Sequence, residues 1–307
     1  MPVGIASGLS ILGIVAAVVL AVWSWGAWYR RRVERVVSGR LPAGPHGIIP
    51  GAEPLALTVP GARVGVVLLH GFGDTPQTLA SLARALLAGG FDVDVPLLPG
   101  HGRTLMEFAA SNGSEWLAAA RAAHAAMRAR HTRVALVGLS MGGALAATVA
   151  ADHPELAALV LLAPYVDAPP LFRALVRAAP AIGMVLPYVG GEGARSILDP
   201  QARSEALAYG ATTPQLVREL VHAADAARAS LPRITAPTLY VQSREDNRIT
   251  EEVARRAFAL VGARTKKLDM LSGCGHVLTV DFCRDRVATL VSEWITTVAT
   301  DNETGTA

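Results

Sequence analysis

The segment Gly138-Leu139-Ser140-Met141-Gly142, followed by Gly143, joins a strand-forming run, Val134–Val137, to an alanine-rich helical run from Ala144 onward. A chain that turns from strand to helix around one serine must hold that serine on a tight, strained bend. The flanking glycines fit this geometry, because a Cβ at those positions would collide with neighbouring backbone. The helix that follows aims its N-terminus at the serine, where it stabilises negative charge. A strand–serine–helix elbow belongs to a sheet whose strands alternate with helices, and it puts the serine at the carboxyl edge of that sheet.

The rest of the chain carries that alternation. Strands are expected at Val64–Leu69, Val93–Leu97, Arg133–Gly138, Ala158–Leu162, Thr238–Gln242 and Lys267–Leu271. Several are continuous apolar runs, as in strands buried on both faces. Helices are expected at Gln77–Ala88, Ser114–Arg130, Met141–Asp152, Glu251–Val261 and Asp281–Thr297. This is the pattern of βαβ units on a mostly parallel sheet. Residues 165–232 break it, with short helical pieces divided by Pro and Gly and no clear strand. An insertion of this kind sits above the carboxyl edge, so it reads as a helical cap over a core made of 61–164 and 233–300. A Pro- and Gly-rich linker is expected at 36–60, and a disordered tail at 301–307.

Residues 1–35 have a separate character. No charged residue occurs from Ile5 to Tyr29, and Ile, Leu, Val and Ala dominate. As a helix this run would span roughly 37 Å, enough for a hydrocarbon layer of ~30 Å. Trp23, Trp25, Trp28 and Tyr29 mark an interfacial belt, and Arg30, Arg31 and Arg32 follow at headgroup depth. A cleaved signal peptide would need a basic start and a small-residue cleavage site, whereas the first charge is Arg30. A single N-terminal transmembrane helix is therefore expected. The positive-inside rule then puts the catalytic domain on the cytoplasmic side.

The formal net charge of +3 does not signal a nucleic-acid partner, because the dense basic run belongs to this membrane flank. The two cysteines, Cys274 and Cys283, make neither a disulfide framework nor a zinc motif, and are expected as reduced thiols. Neither a P-loop nor a Gly-x-Gly-x-x-Gly dinucleotide motif occurs after a first strand.

A serine hydroxyl needs a base and an acid that orients the base. Asp246, in Ser243-Arg244-Glu245-Asp246-Asn247, lies just past the strand Thr238–Gln242. His276, in Ser272-Gly273-Cys274-Gly275-His276, lies just past Lys267–Leu271. Both fall at the same edge as Ser140, in the chain order serine, acid, histidine. Glu245 is the alternative acid. His70 and His101 follow strands beside glycines. His124, His131, His153 and His222 fall on helices or their ends, where a solvated or capping role is the default, and His46 is in the linker. The oxyanion donors are expected to be the backbone N–H groups of Met141 and of Phe72, in the loop His70-Gly71-Phe72-Gly73-Asp74. Gly71, Phe72, Met141 and Val277 are expected at the acyl pocket. Among the cap residues, Leu171, Phe172, Leu175, Val176, Ile182, Met184, Val185 and Leu186 suggest a mixture of greasy lid and packed core.

The segments Leu69–Gly73, Pro96–Gly102, Gly138–Gly143, Ala236-Pro237-Thr238 and Gly275-His276-Val277 resemble the α/β-hydrolase superfamily, in particular its carboxylesterase and monoacylglycerol-lipase branch. The resemblance runs from about Val64 to Trp294. It implies an α/β-hydrolase fold with a small cap and no metal or organic cofactor. It further implies hydrolysis of carboxylic esters of medium or long acyl chains, with Phe72 and Met141 supplying the oxyanion hole. Serine at 140 differs from the aspartate nucleophile of dehalogenase and epoxide-hydrolase relatives. The N-terminal span departs from the compact bacterial esterases of the branch, and the His-Gly-Gly-Gly oxyanion loop is absent. The expected partners are a small apolar ester and the membrane; the oligomeric state is left open. A thioesterase or acyltransferase could use the same triad, and a non-catalytic membrane scaffold is the reading from outside enzymology.

Overall fold

The computed structural model describes residues 4–190 and 196–300; the segment 301–307, expected as a tail, lies outside them. The chain opens with α1 (Gly4–Arg40), which takes in the first five residues of the expected linker. Then come β1 (Leu55–Leu57), β2 (Val64–Leu69), α2 (Ala80–Ala88), β3 (Asp92–Val95), α3 (Leu105–Ala110) and α4 (Gly113–Arg128). They lead into β4 (Arg133–Leu139), α5 (Met141–Asp152) and β5 (Ala158–Leu162). The insertion carries α6 (Pro170–Arg177), α7 (Ala179–Val185), β6 (Val189–Gly190), α8 (Pro200–Glu205), β7 (Ala211–Thr212) and α9 (Pro214–Ser230). The chain returns through β8 (Thr238–Ser243), α10 (Glu251–Leu260), β9 (Lys266–Leu271) and α11 (Arg284–Thr300).

One seven-stranded sheet has the order β1-β3-β2-β4-β5-β8-β9. Every pairing from β3 to β9 is parallel, and β1 adds an antiparallel edge. The period-two alternation of a strand sorts the core into two layers. Val66, Leu68, Val137 and Val160 face α2 and α11, packing on Leu82, Leu86, Val287 and Val291. Val67, Leu69, Leu136 and Leu159 face the other side, against α4, α5 and α10. Strands buried on both faces are why these segments read as unbroken apolar runs.

Three features were not expected. β1 is three residues long, too short for a periodic signal. α3 has six residues, but its capping box, Thr104 with Glu107, is the signal that could have found it. The insertion holds a two-residue antiparallel pair, β6 with β7, where no strand was expected. Its last helix, α9, lies along α5: Leu216 and Ala227 share one core cluster with Ala144 and Ala147.

Among the described residues, α1 is one helix long and apolar enough to cross a membrane, a test that signal sequences also pass. Its side chains from Gly13 to Trp23 are exposed. Its last turns join the folded body instead. Val37 is buried, Glu34 accepts the Tyr188 hydroxyl at 2.9 Å, and Arg40 donates to the carbonyls of Ala208 and Tyr209. The cap residues Met184, Val185, Leu186 and Phe172 are exposed, whereas Val176 is buried.

Candidate active site

Ser140 sits between β4 and α5 with φ 54° and ψ −115°, a strained conformation for a residue with a side chain. The surrounding packing holds it there. Its N–H donates to the Leu162 carbonyl at 2.9 Å, and its carbonyl accepts from Ala144 and Tyr165. A Cβ on Gly138 would fall onto the Gly142 carbonyl, and one on Gly142 onto the Leu69 carbonyl. A Cβ on Gly143 would lie 2.7 Å from that of Pro164. The glycines therefore serve close backbone approach at three separate contacts.

Parallel strands end at one edge, and that edge brings Ser140, Asp246 and His276 together. His276 Nε2 lies 2.8 Å from Ser140 Oγ, and His276 Nδ1 lies 2.7 Å from Asp246 Oδ2. Asp246 is buried, and Gln242 Nε2 also donates to its Oδ2, at 2.7 Å. Its Oδ1 accepts the N–H groups of Arg248 at 2.7 Å and Ile249 at 3.0 Å. Burial works to raise the Asp246 carboxyl. The charge and hydrogen bond of His276, with those two N–H groups, outweigh burial and hold it below the ordinary carboxylate range. The alternative acid, Glu245, does not reach His276; it accepts from Ser243 Oγ and the Gly273 N–H and braces the loop instead.

The loop after β2 comes close to the serine. A Cβ on Gly71 would lie 3.6 Å from that of Ser140. Met141 is the first residue of α5, where backbone N–H groups have no partner inside the helix. The Phe72 ring packs against Phe108 at 5.2 Å and Trp116 at 5.8 Å, which fixes the loop from below. Met141 is fully buried, and Val277 is partly buried against the α2–α11 layer. His70 braces the same loop: its Nδ1 meets the Gly71 carbonyl at 3.0 Å, and its Nε2 accepts the Leu98 N–H at 3.1 Å. Burial drives its pKa down to about 4 against the pull of the Gly71 carbonyl. Asp74, at the end of the loop, is pushed up to about 6 by burial, which outweighs its bonds from Thr78 and Thr75 and the charge of His276.

The other histidines stand apart from this chain of bonds. His131 meets Asp92 at 2.9 Å and His153 meets Glu155 at 3.0 Å. His124 is buried with its ring 4.3 Å from that of His153, not solvated as its helical position suggested. Among the described residues no group of three or more His, Cys, Asp or Glu could hold a metal ion. Two grooves, one along α1 at Trp23 and Arg31 and one between Arg30 and Tyr188, lie away from Ser140. Neither groove is lined by Ser140, His276 or Asp246.

The expectation of two reduced thiols is corrected. Cys274 and Cys283 form a disulfide, with their Cα atoms 5.7 Å apart. The connection from β9 to α11 folds back on itself, which a count of cysteines could not reveal. Sequence reasoning also missed Asp281, a fully buried carboxylate inside the loop that the disulfide closes. Its signal was an acidic residue between apolar positions just past the histidine.

A family model described as serine aminopeptidase, S33, matches residues 61–282. A thermostable monoacylglycerol lipase from Bacillus sp. (strain H-257) is 29% identical over 238 residues, 77% of this chain and 91% of the relative. A carboxylesterase from Bacillus subtilis (strain 168) is 25% identical over 243 residues, 79% of this chain and 96% of that one. A solved structure from work on LipS and LipT, two metagenome-derived lipolytic enzymes, is 32% identical with a TM-score of 0.74. It covers 81% of this chain and 99% of its own. The monoacylglycerol lipase of Paleococcus ferrophilus, 21% identical with a TM-score of 0.68 over 80% of this chain and 98% of its own, shares the fold. The family model spans everything from β2 through the loop that carries His276, most of the chain, and the chain therefore belongs to the serine aminopeptidase, S33, family of α/β-hydrolases.

Proposed function

We propose that this chain is a serine hydrolase of carboxylic esters with apolar acyl chains, monoacylglycerols among them, working through Ser140, His276 and Asp246. The observation that carries the reading is the unbroken chain from Ser140 Oγ through both His276 nitrogens to Asp246, at 2.8 and 2.7 Å. The similarity to a monoacylglycerol lipase and a carboxylesterase supports the choice of esters.

Ser140 Oγ attacks the ester carbonyl carbon while His276 Nε2 takes its proton. The carbonyl oxygen becomes an oxyanion held by the N–H groups of Phe72 and Met141. Asp246 keeps the imidazole in the Nδ1–H tautomer and stabilises the imidazolium. When the intermediate collapses, the bond from carbon to the alcohol oxygen breaks, and His276 gives its proton to the departing alcohol. Water, deprotonated by His276, then attacks the acyl-enzyme and frees the acid and Ser140. Gly71, Phe72, Met141 and Val277 form the start of the acyl pocket.

The reading extends to location. α1 is an uncleaved membrane span, and tethering raises the local concentration of esters that partition into a bilayer. The arginines after the span argue for a cytoplasmic domain, and the disulfide argues for the other side. Disulfides persist in oxidising compartments and are rare in reducing ones. We therefore place the domain on the oxidising side, against the charge-based expectation.

The test is hydrolysis of a p-nitrophenyl ester series of rising acyl length by the full chain and by Ser140→Ala. Loss of activity in the variant by a factor on the order of 10³ or more supports the reading. Retained activity in Ser140→Ala, or no ester turnover by well-folded wild type, overturns it. Acyl products diverted to an added alcohol would mark an acyltransferase.

A further inference from the structure

His276 can serve Ser140 only if its ring stands between two partners at once, and the ring is placed by the backbone of Gly275 and His276. That backbone is not held by regular structure, because it lies in the loop between β9 and α11. We infer that Asp281 is the positioning residue that fixes this loop, by locking it to the Ser196–Asp199 segment within the cap insertion. The inference rests on the triad reading given above.

The buried Asp281 carboxylate collects four backbone N–H groups. Its Oδ2 accepts from Gly275 at 2.7 Å and from Leu198 at 2.7 Å. Its Oδ1 accepts from Asp199 at 2.9 Å and from its neighbour Phe282 at 2.9 Å. One oxygen thus bridges the residue before the histidine and the cap segment ahead of α8. The backbone N–H of His276 adds a second tie to that segment, donating to the Ser196 carbonyl at 2.8 Å. Gly275 must be glycine for this approach, since a Cβ there would meet the Ser196 carbonyl. The same segment reaches the acid: Arg248 Nε donates to Ser196 Oγ at 2.9 Å, while the Arg248 N–H donates to Asp246. Base loop, acid loop and cap are therefore joined at Ser196–Asp199, and Asp281 is the fully buried carboxylate at the joint. The disulfide brackets the same loop on both sides, from Cys274 to Cys283.

A carboxylate suits this place because it has only acceptors. Four N–H groups converge on two oxygens, and an amide of the same shape would turn an NH₂ toward two of them whichever way it flipped. Displacing a catalytic group by about 1 Å costs on the order of 10²-fold in rate. Asp281 never touches substrate, so its loss should act on turnover and not on binding.

The experiment compares Asp281→Asn and Asp281→Glu with wild type as full chains in detergent, each normalised to serine sites counted by fluorophosphonate labelling taken to completion. The expected result is a kcat per labelled site lower by about 10- to 100-fold, with KM within about threefold. The downfield proton resonance of the His276 Nδ1–H bond should broaden or vanish in the same variants. A residue that only supports folding would lower the melting temperature and the number of sites, and leave kcat per site and the resonance unchanged. That outcome overturns the inference, as does a kcat per site within twofold of wild type in either folded variant. Failure of both variants to fold would assign the carboxylate to stability alone and also overturn it. Activity surviving in Ser140→Ala would sink the triad reading, whereas a dead Ser140→Ala beside a normal Asp281→Asn would sink this inference alone.

Discussion

Acid should destabilise the fold at His70, the buried histidine that braces the loop after β2. His70 is fully buried, and its Nε2 accepts the Leu98 N–H, so the ring must be neutral with its proton on Nδ1, facing the Gly71 carbonyl. Protonation would set one N–H against another in a site without water access. The pKa falls from 6.5 to about 4 on folding, chiefly through burial. The folded state thus binds fewer protons than the unfolded state at intermediate pH, and stability falls as pH falls. The loss starts below the unfolded value near 6.5 and is complete below about 4. It amounts to about 2 kcal/mol by pH 5 and about 3 kcal/mol over the whole window. Neighbours shift the total. His101, held well below its ordinary value by burial and by the charge of His70, adds in the same direction. Asp74 opposes it, because a carboxyl raised to about 6 regains stability as pH falls from 6 toward 4. The clean quantity is therefore a difference between proteins. Urea unfolding of the full chain in non-ionic detergent, read by pulse proteolysis at about pH 7.5 and about pH 5, would measure it for wild type and His70→Gln. Wild type should lose about 2 kcal/mol more than the variant across that range. Equal losses would refute the argument that a buried neutral His70 holds the loop.

Two other outcomes follow from the same geometry. Gly142→Ala would drive a methyl into the Leu69 carbonyl and should cost more than about 4 kcal/mol, while Gly39→Ala, in open space on α1, should gain up to about 1 kcal/mol. A thermal melt of Gly142→Ala within a few degrees of wild type would contradict the packing account of the elbow. The full chain should stay with membranes through a high-salt wash, with Cys274 and Cys283 unreactive to maleimide until a reductant is added. Release by salt would remove the span, and thiols that react without reductant would remove the oxidising-side placement.

Much of this protein was legible before any coordinates. Strands at Val64–Leu69 and Ala158–Leu162 and the helix at Met141–Asp152 match the sequence expectation to the residue. Strands buried on both faces and a helix opening at an elbow leave one-dimensional signatures, in apolar runs and in glycines at fixed offsets. The convergence of Ser140, Asp246 and His276 was also legible, because a parallel sheet sends every strand-end loop to one edge, so chain order predicts proximity. The tertiary structure decided what depends on how loops fold back. Cys274 and Cys283 are joined only because the eight residues of chain between them reverse direction. Asp281 is buried where one distant segment, Leu198–Asp199, and its own loop turn their N–H groups toward it, and Glu245 differs from Asp246 in which carboxylate faces the ring. Periodicity records which face of an element is buried. It carries no record of where an irregular loop directs its polar groups, and the precision of this site resides in those loops.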